Sequence, residues 1–208
     1  MGDIQQAQGQ PQLAAETFAH ALTLNELPEL LISHFRARTL AGQSEEALAD
    51  LQTWQDTHPG DPAVLRALAE RYHQLGEVDK ALPLYEQLLE LTPNAALVHN
   101  NLANLLLKVD VERAFQAARR AYALAPSNPA ILDTMGWSLV QLGDLNQGLR
   151  HLREAVARNG RSATMRYHLG VALEEFGSLA EARRELAKAL SLTSEFEGAS
   201  DAQLRLAR

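Results

Sequence analysis

The 208-residue chain is 46% apolar and 22% charged, carries a formal net charge of -7 and has no cysteine. That balance reads as a soluble globular chain and weighs against binding nucleic acid, where clustered lysine and arginine must neutralise phosphates. The lack of thiols excludes a disulfide framework, a thiolate metal site and cysteine lipidation. No apolar run approaches the ~20 residues that cross a bilayer, and no basic-then-apolar leader opens the chain, so this stretch is expected to make no direct membrane insertion.

The chain repeats one unit, and its first copy is partial. Met1–Gln8 supplies about half of a first helix and Gln12–Leu24 a second helix, so residues 1–27 form an incomplete repeat whose stripe of Leu13, Phe18, Ala21 and Leu22 is expected to face water in part. Five full repeats follow at 28–61, 62–95, 96–128, 129–162 and 163–196, in a single array with a capping segment at 197–208. The copy at 62–95 shows the logic. Leu65, Leu68 and Tyr72 recur at helical spacing with Ala69 beside them, Gly76 ends the first helix, and Ala81, Tyr85 and Leu88 mark the second before Pro93 stops it. Pro83 is expected to be tolerated as lying near a helix start.

These slots recur in register. The turn glycines are Gly9, Gly42, Gly76, Gly143 and Gly177, with Asp110 in the same slot, and the small residues opening the second helices are Ala14, Ala47, Ala81, Ala114, Gly148 and Ala182. Asp61-Pro62 and Asn128-Pro129 place a capping side chain before a proline suited to the first helical turn, and Ser178 with Glu181 reads as a capping box. The third repeat is one residue short, the loss falling between Lys108 and Val111. The first full repeat departs from the pattern with His34, Phe35 and Arg38.

A helix-turn-helix period of about 34 residues with these slots resembles the tetratricopeptide repeat family. Leu68, Ala69, Tyr72, Gly76, Ala81, Tyr85 and Pro93 fill its pattern, as do Met135, Gly136, Leu139, Gly143, Leu152 and Ala155, and then Leu169, Gly170, Leu173, Gly177, Ala182, Leu186 and Ala189. The resemblance implies an all-α, right-handed superhelical solenoid of antiparallel helix pairs that binds protein segments in a groove lined by its first helices. Candidate groove residues are Arg36, Arg66, His73, Asn100, Asn101, Asn104, Asp133, Trp137, Tyr167 and His168, with Ile32, Glu70, Thr134 and Val171 at neighbouring inward positions. The family's carboxylate clamp for chaperone tails is not reproduced, because Ala130 and Thr134 stand where basic residues belong. The runs Leu132–Trp137 and Tyr167–Gly170 are also similar to the last repeats of bacterial TPR lipoproteins that accompany exosortase and exopolysaccharide export.

Each groove candidate has a plainer reading. The asparagines suit a peptide backbone because an amide both donates and accepts, yet they equally suit bonds to one another or to water. Trp137 is either a binding anchor or packing for the next first helix, whereas Trp54 reads as core. Arg119, Arg120, Arg150, Arg153, Arg158 and Arg161 form a basic stretch on second helices, read as solvated surface ahead of a site for an acidic partner. No His-Glu-x-x-His helix, glycine-rich phosphate loop or Gly-x-Ser-x-Gly elbow occurs, so no enzyme activity, metal or cofactor is expected.

The expected function is therefore a protein-interaction scaffold in a larger bacterial assembly. The alternatives are a self-associating array, with a weak homodimer through residues 1–27, and a regulatory array beside a catalytic domain outside this sequence. The compartment follows from the parent: periplasmic for an exported lipoprotein, cytoplasmic otherwise.

Overall fold

Each helix pair closes on one small side chain. In the computed structural model, which describes residues 1–207, Ala14, Ala47, Ala81 and Ala114 are fully buried, and Gly148 and Ala182 are buried in the same slot. Of the thirteen helices among the described residues, twelve form pairs with such a slot, and there is no strand among these residues. They form two compact units, Met1–Pro93 and a second beginning at Asn94.

The first unit holds α1 (Gly2–Ala7), α2 (Pro11–Leu24), α3 (Pro28–Leu40), α4 (Ser44–Thr57), α5 (Pro62–Gln74) and α6 (Val78–Leu91). The second holds α7 (Ala96–Leu106), α8 (Val111–Leu124), α9 (Pro129–Gln141), α10 (Leu145–Arg158), α11 (Ala163–Glu175), α12 (Leu179–Leu192) and α13 (Ala199–Leu206). Second helices begin at residues 11, 44, 78, 111, 145 and 179, the alternation of 33 and 34 read from the small-residue slots. Short turns make consecutive helices antiparallel neighbours. The fold is an all-α solenoid of helix pairs.

The helix ends follow from local chemistry. Asp61 accepts hydrogen bonds from the Ala63 and Val64 amides, and Asn128 from the Ala130 amide, each before a proline in the first turn. Gly76 turns the chain at φ 73°, a left-handed value that a Cβ disfavours. The turn between α7 and α8 is built otherwise. Asp110 directly precedes α8 and accepts from the Arg113 amide, as Asp144 precedes α10 and accepts from the Gln147 amide. Asp110 is thus a helix cap and not a substitute for the turn glycine; the shortening of this repeat falls on α7, which has 11 residues where α5 and α9 have 13.

Three other expectations change. Pro83 is the sixth residue of α6, inside the helix, and is tolerated because both it and Asp79, whose carbonyl would have accepted its missing N–H, lie on the exposed side. Ser178 caps α12 without a side-chain hydrogen bond, so the capping box is not closed. Phe18 is not a water-facing residue. It is 5% exposed with its ring against Gly2 of α1, where a Cβ would lie 2.6 Å from the ring, while Leu13 remains 45% exposed.

The first full repeat replaces apolar packing with a polar clasp. His34 is buried on α3; its Nδ1 lies 3.0 Å from the Ala15 carbonyl of α2, and its Nε2 3.3 Å from Asp50 of α4. Arg38 pairs with the same carboxylate at 2.5 Å. A buried polar side chain whose ring nitrogen donates to the Ala15 carbonyl meets the requirement that an apolar residue would have met by packing. Trp54 is half-buried and not core, its ring stacked on His58 at 4.2 Å.

Close approach peaks between α9 and α10. A Cβ on Gly148 would stand 2.6 Å from a Val140 methyl and 2.9 Å from the Gly136 carbonyl oxygen, and one on Gly136 2.9 Å from the Gly148 carbonyl. Alanine is the better helix former by about 1 kcal/mol, so propensity alone would make Gly148→Ala stabilising. The backbone oxygen cannot move aside as a side chain could. Gly148→Ala is expected to lower stability by about 1 to 3 kcal/mol, the usual range for overpacking, read as a lower midpoint in urea unfolding.

Candidate binding surface on the first helices

The sequence-predicted residues recur at the fifth, sixth and ninth positions of the first helices, with His73 one turn further along. Residues so spaced share one helix face. In the first unit, Arg36 on α3 and Arg66 on α5 are exposed and Glu70 is half-buried. Burial raises the Glu70 carboxyl above the usual carboxylate range, and the nearby positive charges of Arg66 and Arg36 pull the other way without cancelling it. His73 meets Tyr85 edge-on at 6.2 Å.

In the second unit the candidates are joined to one another. Asn100 and Asp133 are buried at 5% and 7% exposure, whereas Asn101, Asn104, Trp137, Tyr167 and His168 are half-buried. The Thr134 hydroxyl on α9 lies 3.2 Å from Asn104 Oδ1 on α7 and 3.0 Å from the Ala130 carbonyl, and donates to one of them at a time. Asp133 Oδ2 is 2.9 Å from His168 Nδ1 on α11. The His168 ring stacks on Trp137 at 4.5 Å and 11°, so the hydrogen bond and the stack fix the imidazole together. Two acceptors in this row, Asn100 Oδ1 and Asp133 Oδ1, are buried and receive no hydrogen bond from the chain.

Tyr167 belongs to a feature that the repeat pattern did not reveal. Its hydroxyl donates to Asp201 Oδ2 of α13 at 2.9 Å, and its ring lies 5.7 Å from His168 and 5.9 Å from Phe196. Burial first, and then the hydrogen bond to Asp201, push the Tyr167 phenol up to about 12. Arg205 pairs with Glu174 and with Asp201, each at 2.5 Å, and fully buried Ala202 packs against Val171 and Leu186. Phe196, Asp201 and Arg205 lie past the last repeat slot, and the available signal was an aromatic residue in the segment that breaks the pattern.

The basic stretch on the second helices is exposed and partly engaged. Arg120 donates to Asn94 at 2.8 Å, Arg153 pairs with Glu181 at 3.1 Å and Arg158 with Glu154 at 2.8 Å. Among the described residues, no group of three His, Asp or Glu side chains could hold a metal ion. No described helix is long and apolar enough to cross a membrane.

Helix pairs of fixed period, closed on small residues, define a helical-repeat protein. Two tetratricopeptide repeat family models match residues 69–110 and 134–207, together more than half of the sequence, and the chain belongs to that family. It is 36% identical over 100 residues to cellulose synthase operon protein C of Pseudomonas fluorescens, a match spanning 48% of this chain and 8% of that protein. It is 32% identical over 123 residues to a TPR repeat-containing protein of Pseudomonas aeruginosa, spanning 56% of this chain and 20% of that one. The matched stretches are therefore a small part of both relatives. A tetratricopeptide repeat protein from Parabacteroides merdae has the same fold, with a TM-score of 0.75, 17% identity, and coverage of 100% of this chain and 82% of that one.

The Tyr167 environment predicts a response to alkali. The ordinary phenol value is 10.0 and the folded one about 12, so the unfolded chain loses its proton first and folding stability falls as pH rises through that interval. Thermal unfolding between pH 10 and 12 is expected to show a larger drop in midpoint for the wild type than for Tyr167→Phe. At neutral pH that variant should be less stable by about 1 kcal/mol, the usual worth of one hydrogen bond.

Proposed function

We propose that the chain is a non-catalytic scaffold whose first-helix face in the second unit holds an extended or helical segment of a partner protein. Members of the tetratricopeptide family generally mediate protein-protein interaction, which fits this reading. The observation that carries the reading is the row from Asn100 to His168. Asn104, Thr134, Asp133, His168 and Trp137 are set by one another, while Asn100 Oδ1 and Asp133 Oδ1 receive no donor from the chain. Buried acceptors without donors are uncommon in native proteins, and a bound segment offering N–H groups would supply them after a small movement of the row. A fixed, ring-bearing surface also loses little side-chain freedom when a partner binds.

The similarity to cellulose synthase operon protein C supports placing this scaffold in a bacterial exopolysaccharide export assembly. Membership of the exosortase-linked group, and with it a periplasmic location, rests on the runs Leu132–Trp137 and Tyr167–Gly170. Arg36, Arg66 and His73, on first helices of the first unit, are proposed as binding residues of that unit.

A displayed peptide library selected on the whole chain provides the probe. Trp137→Ala and Asn104→Ala are expected to weaken the selected peptide about tenfold or more in calorimetry, equivalent to about 1.4 kcal/mol, while Arg119→Ala with Arg120→Ala changes it less than about twofold. The reverse ranking would move the site to the second helices.

A second reading concerns the first unit. Ile4 and Leu13 are 59% and 45% exposed on α1 and α2, and apolar side chains displayed in this way suit a weak homodimer through residues 1–27. Light scattering is expected to show mass rising with concentration for the wild type and a constant monomer for Ile4→Glu with Leu13→Glu. A monomer at every concentration in both proteins would dismiss this reading.

A further inference from the structure

We infer that the rings of Trp137, His168 and Tyr167 form a docking shelf for a protein segment carrying an aromatic residue followed by an acidic one, a place that the chain's own Phe196 and Glu197 hold in the free protein. The inference rests on the binding-surface reading above and names the chemistry of what that surface takes.

The argument begins with what is seated there. Four rings follow in sequence: Trp137 to His168 at 4.5 Å, His168 to Tyr167 at 5.7 Å, and Tyr167 to Phe196 at 5.9 Å. Three belong to first helices and the fourth to the segment between α12 and α13. Phe196 packs, with Tyr167 and Trp137, against the buried cluster of Val171, Leu186 and Ala202, so the tail reaches first-helix positions of α9 and α11 as well as α12. The neighbouring carboxylate of Glu197 reaches Lys108, in the turn between α7 and α8, at 2.9 Å. Gly198 follows at φ 96°, with its backbone so near Tyr167 that a Cβ would stand 2.4 Å from the ring. Ring, carboxylate and closely approaching backbone together describe a ligand.

The segment is held weakly and its neighbours strongly. α13 has its own attachments in Ala202, the two Arg205 ion pairs and the bond from Tyr167 to Asp201, all outside residues 193–198. Within the segment, Thr193, Ser194, Glu195 and Glu197 are exposed and Phe196 is half-buried. Lys108 and Glu197 keep 60% and 78% of their side-chain surface in water, and exposed ion pairs of this kind add little to stability. The carbonyls of Phe196 and Gly198 accept from the Ala199 and Ala202 amides at the start of α13, so the Phe196 and Glu197 side chains can leave their places while α12 and the body of α13 keep theirs. A partner segment of the same chemistry would replace Phe196 on Tyr167 and Glu197 at Lys108.

The test uses the whole chain and a capped, fluorescein-labelled peptide, Ser-Glu-Phe-Glu-Gly-Ala, read by anisotropy. A tethered competitor acts at an effective concentration of order millimolar, so Phe196→Ala is expected to tighten binding about tenfold or more over the wild type. Glu197→Lys, at an exposed position that folding does not depend on, should tighten it in the same direction by a smaller factor. Trp137→Ala added to Phe196→Ala should remove the gain, and a peptide with alanine in place of phenylalanine should not bind. Equal affinity of wild type, Phe196→Ala and Glu197→Lys would overturn the placeholder while leaving surface binding intact. No binding to either variant, with unfolding midpoints retained, would overturn the aromatic-acidic chemistry. The library ranking of inner against outer substitutions decides separately whether the surface binds segments at all.

Discussion

The structure depends on how closely two antiparallel helices can approach at one position per pair. A small residue there lets the backbones near each other, and the larger side chains on either side then interdigitate at the density of a protein interior. Ala81 is fully buried in a pair whose Leu68, Tyr72 and Tyr85 are also buried, and Gly148 brings α9 and α10 to direct backbone opposition. Nothing else in the pair is so intolerant of size. In repeat solenoids each pair contacts chiefly its neighbours, so the same local condition recurs along each unit.

That condition is why the fold was legible before any coordinates. The spacing of small residues, turn glycines and helix-stopping prolines placed the second helices in the observed register, including the repeat that is one residue short. Features that rest on tertiary neighbours were not legible. The burial of Phe18 depends on Gly2, sixteen residues away in the half-helix α1, and the clasp of His34 depends on a carbonyl in one helix and a carboxylate in another. Periodicity says which face a residue occupies. It does not say which partner satisfies it.

The same distinction applies to the proposed binding row. The shared positions on α7, α9 and α11 came from counting along each helix, but the division of labour within them did not. Asp133 turned out to orient His168, and His168 to lie flat on Trp137, so these side chains act first on one another. Tyr167 was legible as an inward aromatic, whereas its bond to Asp201 was not, because α13 carries no repeat slot from which to count. Such mutual bonding gives the surface a fixed form at the expense of leaving some acceptors without donors.

The turn between α7 and α8 has an entropic side. It is four residues long, 107–110, where the turns holding Gly42, Gly76, Gly143 and Gly177 are three, and none of its residues has a positive φ. Glycine surrenders more backbone freedom on ordering than any other residue, by roughly 0.5 to 1 kcal/mol relative to alanine. The disordered form of this turn thus starts from a narrower set of conformations at each residue. Doing without glycine lowers the disorder given up per residue on closure, which offsets the one residue more that the turn has to fix.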